Sequence, residues 1–250
     1  MKAAVFLTAR LGSTRLPQKA LLDVAGKPAL QHLIDRVNAT REPDLRVLCT
    51  TTLPEDQALA DLASRAGLAV FRGDPKIVVR RYLATAEEHG VDFFVTAEGD
   101  DLFTDPEHMD RTIRRFRETS ADLVMCKQLP FGASCYGVRV AALREVESAR
   151  DPGYAGSFVP LFVDSGRYRV EEIAIDDPTL RRPEIRMSMD YPEDLAFFRA
   201  VCTQLGATPS LSEILRFLDA NPAVRALNQG VEERYWANYR RESGRSTEER

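Results

Sequence analysis

Within residues 10–27 the chain sets Arg10, Arg15, Lys19 and Lys27 against one acid, Asp23, although its formal net charge is −4. The densest part, Arg10-Leu11-Gly12-Ser13-Thr14-Arg15-Leu16-Pro17-Gln18-Lys19, follows an apolar run from Ala3 to Ala9. A buried strand ending in a small-residue turn that carries cations can hold a polyphosphate. From Ala9 through Gly12 and Ser13 the main chain can come close to a ligand and present N–H groups, while Arg10, Arg15 and Lys19 neutralise phosphate charge. The same composition also describes a solvated connection, so the local charge inversion gains meaning only from a second site.

Two carboxylate-bearing segments are candidates for that site. The run 92–97 leads into Glu98-Gly99-Asp100-Asp101-Leu102-Phe103-Thr104-Asp105-Pro106. Such a cluster is expensive to bury unless it is paired or binds a cation. Mg2+ takes oxygen ligands, commonly one or two carboxylates together with substrate phosphates. Asp100 is the favoured ligand, with helix capping as its competing role; Asp105, before Pro106, reads as a cap. In Met187-Ser188-Met189-Asp190-Tyr191-Pro192-Glu193-Asp194-Leu195, Asp190 reads either as a second metal ligand or as an ordinary cap. Glu193 and Asp194 suit the dipole of the helix that Pro192 opens and need no other task. His32 and His89 fall in helical stretches and His108 in a first turn, so none presents itself as a general base.

The elements that must position these groups alternate. Strand patterns at 3–9, 45–51, 68–71, 92–97 and 121–126 are separated by helical patterns near 28–39, 54–66, 75–89 and 106–118. This predicts an α/β fold with a mostly parallel central sheet, helices on both faces, and ligands at the carboxyl ends of the strands. In the second half, strand-like segments at 136–140, 168–175 and 185–189 are interrupted by Asp151-Pro152-Gly153 and by 176–183; helices return at 192–205, 210–219 and 229–239. No repeat or linker divides the chain. One domain is expected over 1–240, with 241–250 a frayed charged tail.

Composition narrows the partners. With 44% hydrophobic and 29% charged residues the chain reads as globular, and its acidic balance argues against broad binding to nucleic acid or an anionic membrane. No run approaches the ~20 apolar residues that span a bilayer. Cys49, Cys126, Cys135 and Cys202 lack CxxC spacing and read as buried, reduced thiols. A soluble, cytoplasmic protein is expected.

Taken together, Ala9-Arg10, Gly12-Ser13-Thr14-Arg15-Leu16-Pro17, Lys19 and Gly26-Lys27-Pro28 resemble the entrance motif of the CMP-sugar-acid synthetases. These are the cytidylyltransferases that activate KDO and sialic acids, with the related spore-coat polysaccharide biosynthesis proteins. Phe71-Arg72-Gly73-Asp74 with Arg81-Tyr82, Asp100 ahead of Asp105-Pro106, Leu180 to Asp190-Tyr191-Pro192-Glu193-Asp194-Leu195, and Phe217-Leu218-Asp219 with Asn221-Pro222 are similar to the spore-coat branch. The resemblance implies a Rossmann-like nucleotide-diphospho-sugar transferase fold, often dimeric. It also implies a CTP site with Arg10, Arg15 and Lys19 on the triphosphate, Mg2+ between Asp100 and Asp190, and Arg72 and Arg81 along the nucleotide or acceptor side.

The reaction expected is transfer of CMP from CTP to an acidic acceptor, with release of pyrophosphate. Two departures fall where the acceptor would bind: Gly132 to Arg139 lacks the acid of the spore-coat branch, and Ser157-Phe158 stand where that branch has a histidine. They widen the acceptor class from sugar acids to a phosphate or phosphonate. The competing readings are a nucleotide-sugar-dependent glycosyltransferase, for which Gly99-Asp100-Asp101 is not the Asp-x-Asp motif required, and a catalytically silent nucleotide-binding homologue.

Overall fold

The computed structural model of the chain describes residues 1–149, 157–206 and 208–243. The apolar run after Lys2 forms β1 (Ala3–Thr8), and its alternation serves two faces at once. Ala3, Val5 and Leu7 join one core cluster while Ala4 and Phe6 join another. A strand covered on both sides must be apolar at every position, which is why residues 3–7 read as a continuous run. A short hairpin, β2 (Asp23–Val24) and β3 (Lys27–Pro28), then leads to α1 (Ala29–Ala39). The regular alternation continues with β4 (Leu45–Thr51), α2 (Gln57–Arg65), β5 (Ala69–Gly73), α3 (Val78–His89), β6 (Phe93–Glu98), α4 (Pro106–Thr119) and β7 (Leu123–Met125). The second half contributes β8 (Tyr136–Arg139), α5 (Val140–Ala149), α6 (Val159–Val163), β9 (Val170–Glu172), α7 (Pro192–Leu205), α8 (Leu211–Ala220), α9 (Pro222–Arg225) and α10 (Val231–Ser243).

The sheet has seven strands in the order β5-β4-β1-β6-β8-β7-β9. β5, β4, β1 and β6 run parallel; β8 is antiparallel to both neighbours; β7 and β9 are parallel to each other. The chain builds outward from β1 through β4 to β5, then crosses back to place β6 on the other side of β1. This reversal opens a crevice beyond the carboxyl ends of β1 and β6, the place where open α/β sheets bind ligands. Helices α1, α2 and α4 cover one face and α3, α5 and α6 the other.

Most predicted elements are found. One is corrected: 185–189 is not a sheet strand. It makes an isolated bridge, Phe131 to Arg186, and its apolar residues Ile185, Met187 and Met189 turn into a third core cluster with α7 and α8. The period-2 pattern was real, but it records burial beside a loop rather than a place in the sheet. Helices α5 and α6 and the 23–28 hairpin were not foreseen. Helix α10 runs through Ser243, past the expected domain edge at 240; residues 244–250 of the expected tail, and Asp151-Pro152-Gly153, lie outside the described residues. The four cysteines are free and buried; burial pushes Cys49, Cys126 and Cys135 up to about 12 and Cys202 up to about 11.

Candidate active site

The crevice holds a cleft of about 460 Å3. Strand β1 and the loop after it supply Thr8, Ala9, Arg10, Gly12, Ser13, Arg15 and Lys19; β6 and its extension supply Glu98, Gly99 and Asp100; the entry to α3 supplies Lys76, Val78 and Arg81. The loop after β1 is fixed from below. Leu11 N–H donates to Asp56 Oδ1 at 2.7 Å, Thr50 Oγ1 donates to Ala9 O at 2.8 Å, and Leu16 N–H donates to the Ser13 hydroxyl at 3.3 Å. Gly99 lets the two strand ends close on each other. Its N–H donates to Thr8 O at 2.7 Å, and a Cβ there would stand 2.7 Å from that oxygen and 2.8 Å from Ala9 Cβ.

Lys19 joins the two distant aspartates. Its Nζ lies 2.7 Å from Asp100 Oδ2 and 3.0 Å from Asp190 Oδ1. Arg15 Nη2 reaches the same Asp190 oxygen at 3.0 Å, and Arg186 Nη2 takes Asp190 Oδ2 at 2.8 Å. Burial alone would push the Asp190 carboxyl up, but the Lys19 ammonium and Arg15 guanidinium outweigh it and hold it down to about 2. Burial likewise opposes the charge on Lys19, and the two aspartates overcome it, so that ammonium is held above its ordinary value. The fit to a divalent cation can be judged from this donor set. Two carboxylates converge on one point facing a cleft, and that is what Mg2+ needs when phosphates complete its shell. No cluster of three or more His, Cys, Asp or Glu suited to hold a metal unaided occurs among the described residues.

Of the residues singled out in the sequence, Ala9, Arg10, Gly12, Ser13, Arg15, Lys19, Arg81 and Asp100 line the cleft, and Asp190 stands behind Lys19 with its side chain 2% exposed. Arg10 leans on the opposite wall, donating to Pro75 O at 3.0 Å, and Arg81 is tied to Asp74 O at 2.6 Å. Arg72 is not brought to the cleft lining. Its guanidinium donates to Thr51 O at 2.9 Å, to Leu53 O at 2.7 Å and to Gln57 Oε1, and so secures the loop after β4. Asp105 caps α4, accepting His108 N–H at 3.1 Å. None of the three histidines lines the cleft.

Several residues that serve the site were missed in the sequence. Glu98 precedes Asp100 by two positions and also faces the cleft. Thr8 Oγ1 donates to Tyr82 Oη at 2.8 Å and Tyr82 Oη donates to Glu98 Oε1 at 3.1 Å. The Tyr82 ring is held against Phe94 and Phe6, at 4.9 and 6.0 Å between centroids, so the sheet core orients this chain of donors. Burial, reinforced by the Asp100 charge, pushes Glu98 up to about 7. Arg186 and Asp194 form the buried support of Asp190. The reading of Asp194 as a mere dipole partner is therefore corrected: it is fully buried and accepts from Asp190 N–H, Tyr191 N–H, Arg186 and Asn228. The available signal was an acid two residues past an N-terminal proline, but that pattern does not reveal an arginine folding back over it. Gly132 has φ +92° and a Cβ on it would stand 2.3 Å from Met187 O, so a side chain there is excluded by backbone packing.

A family model described as cytidylyltransferase matches residues 4–152, which include the loop after β1, Glu98 and Asp100. The chain belongs to the cytidylyltransferase family. It is a CTP-dependent nucleotidyltransferase. It is 27% identical over 226 residues to the spore coat polysaccharide biosynthesis protein SpsF of Bacillus subtilis, a match covering 86% of this chain and 93% of that one. It is 25% identical over 149 residues to the 3-deoxy-manno-octulosonate cytidylyltransferase of Escherichia coli, covering 60% of this chain and 57% of that enzyme. A cytidylyltransferase structure from Leptospira borgpetersenii superposes with a TM-score of 0.83 at 22% identity, covering 90% of this chain and 96% of that one, and shares the Rossmann-like fold. Asp190 lies outside the segment that the cytidylyltransferase model matches, so its convergence with Asp100 is known from the tertiary structure.

Proposed function

We propose that the cleft binds CTP with its triphosphate along the loop after β1, and transfers CMP to a small acidic acceptor with release of pyrophosphate. The observation that carries this reading is the meeting of Lys19, Asp100 and Asp190 at the carboxyl ends of β1 and β6. Arg10, Arg15 and Lys19 neutralise the charge that builds on the departing β- and γ-phosphates, each contact being worth roughly 2–4 kcal/mol. The acceptor oxyanion attacks the α-phosphorus, the new O–P bond forms as the bond to the bridging oxygen breaks, and the electron pair leaves with pyrophosphate. An acceptor already ionised needs no proton removed, which agrees with the absence of histidine from the cleft lining. Asp100 and Asp190 are the residues that would hold Mg2+, which when bound supplies further neutralisation of phosphate charge. Positioning and charge do most of the work in such transfers.

The acceptor class we favour is a sugar acid, as the names of the relatives indicate, or a phosphate or phosphonate, as the altered 132–139 segment allows. We place the reaction in the cytoplasm and in a homodimer; the four free cysteines support the first, and the family resemblance the second. No described helix is long and apolar enough to cross a membrane. The decisive experiment is a pyrophosphate-release screen of CTP, UTP, ATP and GTP against carboxylated sugars, phosphates and phosphonates, with Asp100→Asn as control. CTP-specific release that falls at least about a hundredfold in the variant is expected, since one such contact carries roughly 2–4 kcal/mol. Binding of CTP with no turnover on any acceptor would identify a silent homologue instead, and near-normal turnover in Asp100→Asn would remove that residue from the mechanism.

A further inference from the structure

Asp100 and Asp190 each aim one oxygen at a single point, and a positive charge already fills it: Lys19 Nζ, 2.7 and 3.0 Å away. The Lys19 side chain is only 13% exposed where it stands between the two carboxylates. To leave, its ammonium needs another anion, because a buried cation stripped of its partners is strongly disfavoured. The surroundings offer little: Asp190 is already shared with Arg15 and Arg186, Glu98 is held by Tyr82 and its carboxyl is pushed up to about 7 by burial, and the remaining cleft cations, Arg10, Lys76 and Arg81, repel the ammonium. A second cation seeking the same two carboxylates would therefore have to displace Lys19 into a region that is positive.

Resting on the CTP and Mg2+ reading above, we propose that Lys19 is a displaceable internal cation, holding the metal position closed before nucleotide binds and vacating it when a triphosphate arrives to receive the ammonium. Charge balance supports the order of events. Arg15, Lys19 and Arg186 already pair with Asp100, Asp190 and Asp194. Mg2+ alone would add two positive charges to that group, whereas Mg2+ arriving with a triphosphate would not. Lys19 sits in the short helical turn Lys19–Leu21 at the rim of the loop that carries Arg10, Gly12 and Ser13, so its head can turn toward phosphate without the backbone moving. Metal and nucleotide then favour each other's binding, and by linkage the coupling is equal in both directions. The device would spare the enzyme from holding metal in the absence of its substrate.

The test uses the full chain and Mn2+ as the probe, with free Mn2+ counted by electron paramagnetic resonance. Wild type without nucleotide is expected to bind no Mn2+ at concentrations that saturate it once CTP is added without acceptor. Lys19→Met should gain a nucleotide-independent site, tighter than wild type by at least about tenfold given the usual size of such couplings. The double variant Lys19→Met/Asp100→Asn should lose that site again. If Lys19→Met is too unstable to purify without metal, a rise in its melting temperature with Mn2+, absent in wild type, reads the same effect. Equal nucleotide-free Mn2+ affinity in wild type and Lys19→Met overturns the inference. CTP titrated calorimetrically in EDTA separates the two readings. A protein that binds CTP but takes up Mn2+ without it refutes the inference alone; one that binds neither CTP nor Mn2+ refutes both.

Discussion

Asp190 and Asp194 share one guanidinium: Arg186 donates Nη2 to Asp190 Oδ2 at 2.8 Å and Nε to Asp194 Oδ1 at 3.0 Å. Asp194 also accepts the Asp190 N–H at 2.9 Å and the Tyr191 N–H at 3.0 Å. The carboxylate that meets Lys19 is thus placed by one that never reaches the cleft. Arg186 is pinned in turn between the rings of Phe131 and Tyr235, at 5.3 and 5.0 Å from their centroids, so the last helix of the chain helps to set the geometry of its first loop.

Removing the shared cation should be costly. Arg186→Met keeps the volume between those rings but leaves two buried carboxylates without their common partner. A loss of about 3–5 kcal/mol is expected, the usual result of breaking a buried ion pair from one side. Urea unfolding monitored by circular dichroism measures it, and a loss below 1 kcal/mol would show that Lys19 and Arg15 suffice.

Arg15 and Arg72 should separate cleanly. Arg15→Ala removes a cleft cation and should raise KM for CTP by about 30- to 1,000-fold, the equivalent of roughly 2–4 kcal/mol for one charged contact. Arg72→Ala removes hydrogen bonds to Thr51 O and Leu53 O and should cost stability, on the order of 1 kcal/mol for each bond. Its KM for CTP should stay unchanged; a rise matching that of Arg15→Ala would put Arg72 in the nucleotide site.

Gly99→Ala tests the closure of the two strand ends. The added methyl meets Thr8 O at 2.7 Å and Ala9 Cβ at 2.8 Å, backbone-fixed neighbours on the central strand. The β1 and β6 ends must part, destabilising the fold by about 1–3 kcal/mol as overpacking commonly does. Because Asp100 follows directly, CTP affinity should fall as well, which calorimetry would detect.

The Asp190 carboxyl also predicts a pH dependence of stability. Its folded value, about 2, lies below the ordinary 3.8. A depressed carboxyl contributes stability that is complete above the unfolded value and is lost as pH falls through the folded one. Between about pH 4 and pH 2 wild type should therefore lose on the order of 2 kcal/mol from this group. Asp190→Asn lacks that contribution, so its stability should fall less over the same interval. Parallel loss in the two proteins would place the depressed carboxyl elsewhere.

Much of the nucleotide half was legible because it is written in local patterns. Residues 3–7 are apolar at every position, which only a strand covered on both faces requires, and Gly12, Ser13, Arg15 and Lys19 follow it at once in the chain. The second half was harder to read because its segments take their form from distant partners. The alternation at 185–189 describes a strand as well as it describes a loop pinned to Phe131. Asp194 looks like any acid in a first helical turn until Arg186 is seen folded over it.

The sequence by itself determined the main alternation of strands and helices in the first half, the basic loop and the two carboxylate segments, since hydrophobic period and local charge act over a few residues. Only the tertiary structure decided that Lys19 stands between Asp100 and Asp190, that Arg72 faces away, and that Glu98 shares its proton-bearing neighbour Tyr82 with Thr8. The meetings of Thr8 with Tyr82 and of Lys19 with Asp190 join groups 74 and 171 positions apart, and no local preference specifies them. They follow from strand crossover and core packing, which carry the ends of β1 and β6 to one crevice and fold the last helix against the first loop.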